Sequence, residues 1–121
     1  MMKISIIIPA HNEEATIISI LESVQGSINK IGNVSFEVIV INDCSTDRTG
    51  SLLQNNQSLY DHLISATRRS GKGGAVLQGL KKATGDFILF QDADLEYNPQ
   101  DYEKLLRPVT EFNADLVIGS R

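Results

Sequence analysis

Phe87-Ile88-Leu89-Phe90-Gln91-Asp92-Ala93-Asp94 decides how this chain is read. Four successive apolar residues predict a strand buried on both faces, and such a strand tolerates charge poorly. The first acids after it therefore mark its carboxyl end. In open α/β sheets that edge is where ligands bind. Asp92 and Asp94 stand one residue apart there and repel each other unless positive charge comes between them. A divalent metal carrying a phosphate meets that need, because hard cations take carboxylate and phosphate oxygens together. Side chains alternate along an extended segment, so residues 92, 94 and 96 share a face and Glu96 becomes a further oxygen donor. The plainer alternative is one acid capping a loop and the other in solvent. An EF-hand loop does not fit, since its obligatory sixth-position glycine is Tyr97 here.

Upstream of this stretch the chain alternates between two periodicities. Residues 4–8, β-branched and apolar apart from Ser5, are the first strand. Asn12 is placed to cap the helix that follows, with Glu13 and Glu14 in its first turn and Ile17, Leu21, Val24 and Ile28 as its inner stripe. Residues 36–41 predict a second strand, residues 43–47 a polar turn, residues 49–54 a short helix and residues 62–66 a weak third strand. Gly71-Lys72-Gly73-Gly74 opens a helix reaching about Ala83, with Ala75, Val76, Leu80 and Ala83 facing in and Gly85 as its stop. The fourth strand covers residues 86–91. Asn98-Pro99 then starts a helix with Tyr102, Leu105, Leu106 and Val109 inward, and residues 116–118 form a fifth strand. The order βαβαβαβαβ predicts one α/β domain over residues 1–121, a Rossmann-like and mostly parallel sheet with helices on both faces. Three polar segments follow strands one, two and four, and such a sheet brings them to one edge.

Bulk properties narrow the partners. The chain has 121 residues and a formal charge of −4, which recommends neither nucleic acid nor an anionic membrane. Its single cysteine, Cys44, excludes an internal disulfide and suits a reducing compartment. The apolar run near the amino terminus stops at Pro9 and turns acidic at once, too short for a signal peptide, and no stretch reaches transmembrane length. The chain reads as a soluble cytoplasmic protein.

The remaining candidates each carry a plain and a functional reading. Asp43 follows strand two, where an acid takes a ribose hydroxyl or a base N–H in nucleotide folds, or simply stabilises the turn. Asp47 is read as structural, a cap for the next helix. Glu13 complements a helix dipole or binds a base or ribose, and His11 beside it is a loop residue. Gly71-Lys72-Gly73-Gly74 lacks the last glycine of a dinucleotide fingerprint and the Ser or Thr of a P-loop. It reads as an entry to a helix whose amides face an anion, with Arg68, Arg69 and Lys72 adding positive charge, or as a solvated basic loop. No Ser-His-Asp order and no zinc spacing stands out, and Cys44 has no neighbouring histidine to activate it.

Five segments, in order, resemble the family 2 inverting glycosyltransferases of the GT-A fold. They are residues 6–14 (IIIPAHNEE), residues 40–49 (VINDCSTDRT), Gly71-Lys72-Gly73-Gly74-Ala75, Asp92-Ala93-Asp94 as the DXD motif, and Gly119-Ser120-Arg121. The nearest subgroup is the polyprenol-phosphate (dolichol-phosphate) mannosyl- or glucosyltransferases. The resemblance implies that Pro9, His11, Glu13, Ile41 and Asp43 line a pocket for base and ribose. It implies Asp92 in the ribose or metal shell, a backbone contact at Ala93, Asp94 as ligand to Mg²⁺ or Mn²⁺ with help from Glu96, and Arg121 reaching the phosphates or the sugar. The implied donor is a UDP- or GDP-linked sugar. The implied acceptor is a polyprenyl phosphate, with peripheral association at the inner face of the membrane. In the family the acceptor half and the catalytic base follow the point where these residues stop, so the chain is expected to be the donor-binding part of a larger enzyme, with its catalytic base unknown. Inverting transfer needs that base unless the acceptor is already an anionic phosphate.

Two residues depart from the pattern: His11 stands where many relatives have Tyr, and Arg68-Arg69 stand near where relatives often have Asn. The competing readings are a nucleotide-binding module without turnover and a nucleotidyltransferase. The latter needs a Gly- and Arg-rich loop after strand one, which residues 9–14 do not provide.

Overall fold

The computed structural model describes residues 2–93. The expected helix after Asn98-Pro99 and the fifth strand lie outside the described residues, as do Asp94, Glu96 and Arg121. Four parallel strands form one sheet in the order β3-β2-β1-β4: β1 (Met2–Ala10), β2 (Val34–Asn42), β3 (His62–Ser65) and β4 (Phe87–Phe90). Strand one is longer than its apolar run because pairing with β2 continues in register from Met2↔Val34 to Ala10↔Asn42.

Side-chain alternation divides the core between the two faces. Ile4, Ile6, Ile8, Val38, Val40 and Leu89 pack with Ile17, Ile20, Leu21 and Val24 of α1 (Ile17–Ile28) and with Leu53 of α2 (Thr49–Gln54). Ile7, Ile39 and Ile41 face the other way, under Ala75 of α3 (Gly71–Lys82). Helices therefore cover both faces, as the apolar runs require.

α3 lies close to the sheet because its seam is made of small residues. A Cβ on Gly79 would stand 2.7 Å from Ile7 Cγ2 and 2.9 Å from Ile41 Cδ1. Only Ala75 and Gly79 are fully buried on this helix, and the larger apolar residues are pushed to its flanks. Leu80, expected to face in, is 38 % exposed, and Leu77 is 59 % exposed.

Two local expectations need correction. Asn12 does not cap α1, which starts at Ile17 behind Thr16. It sits at φ +53 and its Oδ1 accepts the Thr46 and Asp47 amides at 2.7 and 3.3 Å, so it fastens the β2–α2 turn to the loop after β1. Glu13 and Glu14 accordingly precede the helix rather than fill its first turn. Gly85 does not stop α3, whose chain is already extended at Ala83. It is required where the chain crosses β1, since its Cβ would meet Ser5 N at 2.7 Å.

The strand order sets the crevice. The chain passes from β1 to β2 to β3 in one direction, and β4 then adds on the opposite side of β1. Connections leaving β1 and β4 diverge, which opens a cleft at their carboxyl ends.

Candidate functional site

Three loops and one helix start meet in that cleft. The β1–β2 ladder runs one bond past the strands, with Asp43 N donating to Ala10 O at 2.8 Å. The β1–β4 pairing continues likewise, with Gln91 N donating to Ile7 O at 3.0 Å. These bonds hold the ends of β1, β2 and β4 side by side. A cleft of about 220 Å³ results, lined by Pro9, His11, Glu13, Asp43, Asp92 and Ala93 among the expected residues, and by Ala10, Arg69, Lys72 and Ala75 besides.

Each wall residue is held by specific partners. The Asp43 carboxylate is buried. It accepts the Ser70 amide at 2.8 Å and hydroxyl at 2.9 Å on Oδ1, and Arg69 Nε at 3.2 Å on Oδ2. Burial pushes this carboxyl up, but the Ser70 and Arg69 hydrogen bonds outweigh it and hold the group below the usual aspartate value. Asp43 thus fixes the segment that starts α3. Its own carbonyl lies 2.8 Å from His11 Nδ1. A carbonyl only accepts, so the His11 proton is on Nδ1 and Nε2 is the acceptor, with Asn12 Nδ2 at 3.3 Å.

Asp47 is structural, as expected. Its Oδ1 accepts Thr49 N at 2.9 Å and Thr49 Oγ1 at 2.6 Å, and its Oδ2 accepts Glu14 N at 3.2 Å. Burial raises this carboxyl too, and those bonds reverse the effect and lower it. Thr49 Oγ1 in turn accepts the Glu13 amide at 2.9 Å, so the loop after β1 is tied to α2 at two successive amides.

The stretch after β4 is anchored from α1. Thr16 Oγ1 lies 2.5 Å from the Ala93 carbonyl and donates to it. Asp92 is 4 % exposed and forms an ion pair with Lys72, from the first turn of α3. A buried carboxylate is strongly disfavoured unless countered by positive charge, so the end of β4 is a position that recruits a cation. Lys72 is the cation it has in this structure. Among the described residues no group of three or more His, Cys, Asp or Glu side chains is arranged to hold a metal ion.

Ile41 is placed elsewhere than expected. Its side chain is fully buried with Ile7 and Ile39 under α3 and does not line the cleft. Conversely, Arg69 and Lys72 line the cleft, whereas the sequence left them between positive charge at an anion-facing helix start and a solvated basic loop. The signal was two basic residues just ahead of a helix start and one within it. The carboxylates they reach became visible only once α3 was laid over the sheet. No helix among the described residues is long and apolar enough to cross a membrane.

The chain is 34 % identical over 121 residues to the dolichol-phosphate mannosyltransferase of Pyrococcus furiosus, covering 99 % of this chain and 33 % of that protein. Residues 1–349 of the TarS protein of Staphylococcus aureus, in complex with UDP-GlcNAc, match in structure with a TM-score of 0.75 and 30 % identity, over 94 % of this chain and 33 % of that one. A mannosyltransferase of Pyrobaculum calidifontis in complex with GDP-Man and Mn²⁺ matches with a TM-score of 0.66 and 28 % identity, over 81 % of this chain and 29 % of its own. The chain thus spans between about a fifth and a third of the length of such relatives. The family model for glycosyl transferase family 2 matches residues 5–121, a range that includes every loop building the cleft, and the chain belongs to that family, on a GT-A sheet.

Proposed function

We propose that this chain is the donor-binding part of an inverting glycosyltransferase. The cleft takes a nucleoside-diphosphate sugar, UDP- or GDP-linked, together with Mg²⁺ or Mn²⁺, and the whole enzyme passes the sugar to an acceptor. The observation that carries this reading is the meeting of His11, Glu13, Asp43, Asp92 and Ala93 with Arg69 and Lys72 in one cleft at the carboxyl edge of the sheet. Complexes of related proteins with UDP-GlcNAc and with GDP-Man and Mn²⁺ support the ligand class. The dolichol-phosphate mannosyltransferase relative supports a polyprenyl phosphate as acceptor, which would bring the whole enzyme to the cytoplasmic face of a membrane as a peripheral protein.

In this reading the loop after β1, with Pro9, His11 and Glu13, holds base and ribose beside Asp43. His11 Nε2 offers an acceptor and the ring a flat surface. Asp92 would meet the ribose or help hold the metal, with a backbone contact from Ala93. Asp94 and Glu96 complete the metal shell, and Arg121 reaches the phosphates or the sugar. A bound Mg²⁺ or Mn²⁺ supplies Lewis-acid neutralisation of charge on the departing diphosphate. Arg69 and Lys72 add positive charge to the same wall, where it counters charge developing on the leaving group.

Calorimetric titration with UDP and GDP, with and without Mn²⁺, tests the reading on this chain and on Asp94→Ala. Metal-dependent binding of one nucleotide, weakened at least about tenfold in Asp94→Ala, is the expected result. Absence of binding of either nucleotide to folded protein rules the donor site out.

A further inference from the structure

The two cationic side chains of the cleft are not held alike. Arg69 serves Asp43, a carboxylate that also accepts two bonds from Ser70 and is built into the fold. Lys72 reaches from the α3 start across the cleft to the buried Asp92. Both cations are about half exposed (56 % for Arg69, 51 % for Lys72), so what differs is the carboxylate each serves, Asp43 being bound by Ser70 as well. The ammonium is therefore free to swing on its stem while the carboxylate is not. The Ala93 carbonyl is pinned by Thr16, which fixes the backbone next to Asp92.

We propose that Lys72 is a latch on the donor site: it neutralises Asp92 while the cleft is empty and transfers to the diphosphate when nucleotide and metal enter together. This rests on the donor-binding reading above. The charges make it work. A metal arriving alone must displace a tethered ammonium from a buried carboxylate. A diphosphate arriving alone meets a wall whose nearest flexible cation is already engaged. When both arrive, the ammonium moves onto phosphate oxygens and the metal takes over the negative charge of Asp92, so neither carboxylate nor phosphate is left uncompensated. Metal and nucleotide then bind with positive coupling, which is reciprocal by linkage.

The test measures Mn²⁺ binding, by the paramagnetic resonance signal of the free ion, and nucleotide binding, by calorimetry, on this chain and on Lys72→Met. In the wild type, nucleotide is expected to tighten Mn²⁺ binding by about tenfold or more, within the usual range of site-to-site coupling. In Lys72→Met, Mn²⁺ alone binds several-fold more tightly, nucleotide in saturating Mn²⁺ binds about tenfold more weakly, and the coupling shrinks. Lys72→Arg, which keeps the charge, restores the nucleotide affinity. Mn²⁺ affinity without nucleotide that is unchanged or weaker in Lys72→Met overturns the latch while leaving the donor site standing. Wild-type protein that shows no coupling overturns it without recourse to any variant. Wild-type protein that binds no nucleotide overturns both the latch and the donor-site reading.

Discussion

Three buried carboxylates show how one residue type is set to different tasks by its surroundings. Asp43 and Asp92 face the cleft, whereas Glu37 lies towards the amino end of the sheet, tied to Ser5 and Thr84. Glu37 is 5 % exposed. It accepts Ser5 Oγ at 2.5 Å, Thr84 N at 2.6 Å and Thr84 Oγ1 at 3.0 Å, with Lys3 Nζ at 3.7 Å and His62 Nε2 at 3.5 Å. Burial pushes its carboxyl up, but the Ser5 and Thr84 hydrogen bonds and the Lys3 charge override this and hold it at about 2, down from 4.5. A depressed carboxyl stabilises the fold above its unfolded value and loses that contribution as pH falls through the folded one. The contribution is therefore complete above about pH 4.5 and lost on acidification towards pH 2. Glu37→Gln should lower unfolding stability by on the order of 2–3 kcal/mol at pH 7, with the deficit shrinking across that interval. Urea denaturation of both proteins at several pH values checks this, and a deficit that does not change with pH would show that the charge is immaterial.

Elements were legible where a strand carries a largely apolar run, as in residues 4–8, broken only by Ser5, and 87–90, of which Leu89 is fully buried, or where a helix carries a single apolar stripe, as in α1. They were less legible where backbone approach, not polarity, decides the residue. Gly85 looked like a helix stop and is instead a crossing point against β1. Gly79, which no sequence pattern singles out, is the seam of α3, and Leu80 next to it is turned outward. Ile41 was misplaced for a related reason: it shares strand parity with Ile39, so its side chain follows the α3 face into the core, whereas Asp43, also of that parity, lies beyond the strand end. Substitution separates the two kinds of glycine. In Gly85→Ala the new methyl meets the Ser5 backbone at 2.7 Å, where nothing yields without parting β4 from β1, and stability should fall by about 2–3 kcal/mol. Gly26, in the interior of α1, has nothing within 4 Å of its would-be Cβ. There Gly26→Ala should raise stability by about 0.5–1 kcal/mol through helix propensity alone. Opposite signs in thermal denaturation are expected, and a harmless Gly85→Ala would mean that the β1–β4 crossing is looser than the contacts require.

At the scale of the whole molecule, the candidate site was readable because every polar segment that lines it follows a strand, and a parallel sheet brings strand ends together. The Asp43–Arg69 and Asp92–Lys72 pairings were not readable, because they depend on how α3 crosses the sheet rather than on any spacing in the chain. That same construction makes the cleft sensitive to unfolding. Its walls come from β1, β2, β4 and α3, and no pair of neighbouring elements holds them all. A ligand that fits it binds the folded state only and stabilises the entire sheet by mass action. At a hundredfold excess over its dissociation constant, the preferred nucleotide with Mn²⁺ should add about 2.7 kcal/mol. For a chain of this size that raises the thermal midpoint by on the order of 10 °C. If Lys72 couples the two ligands, Mn²⁺ alone and nucleotide alone give small shifts whose sum falls well short of the shift with both. Differential scanning fluorimetry with UDP and GDP, each with and without Mn²⁺, resolves the cases. A full shift with nucleotide alone removes the metal from the binding step, and equal midpoints under all conditions mean that the cleft takes no nucleotide.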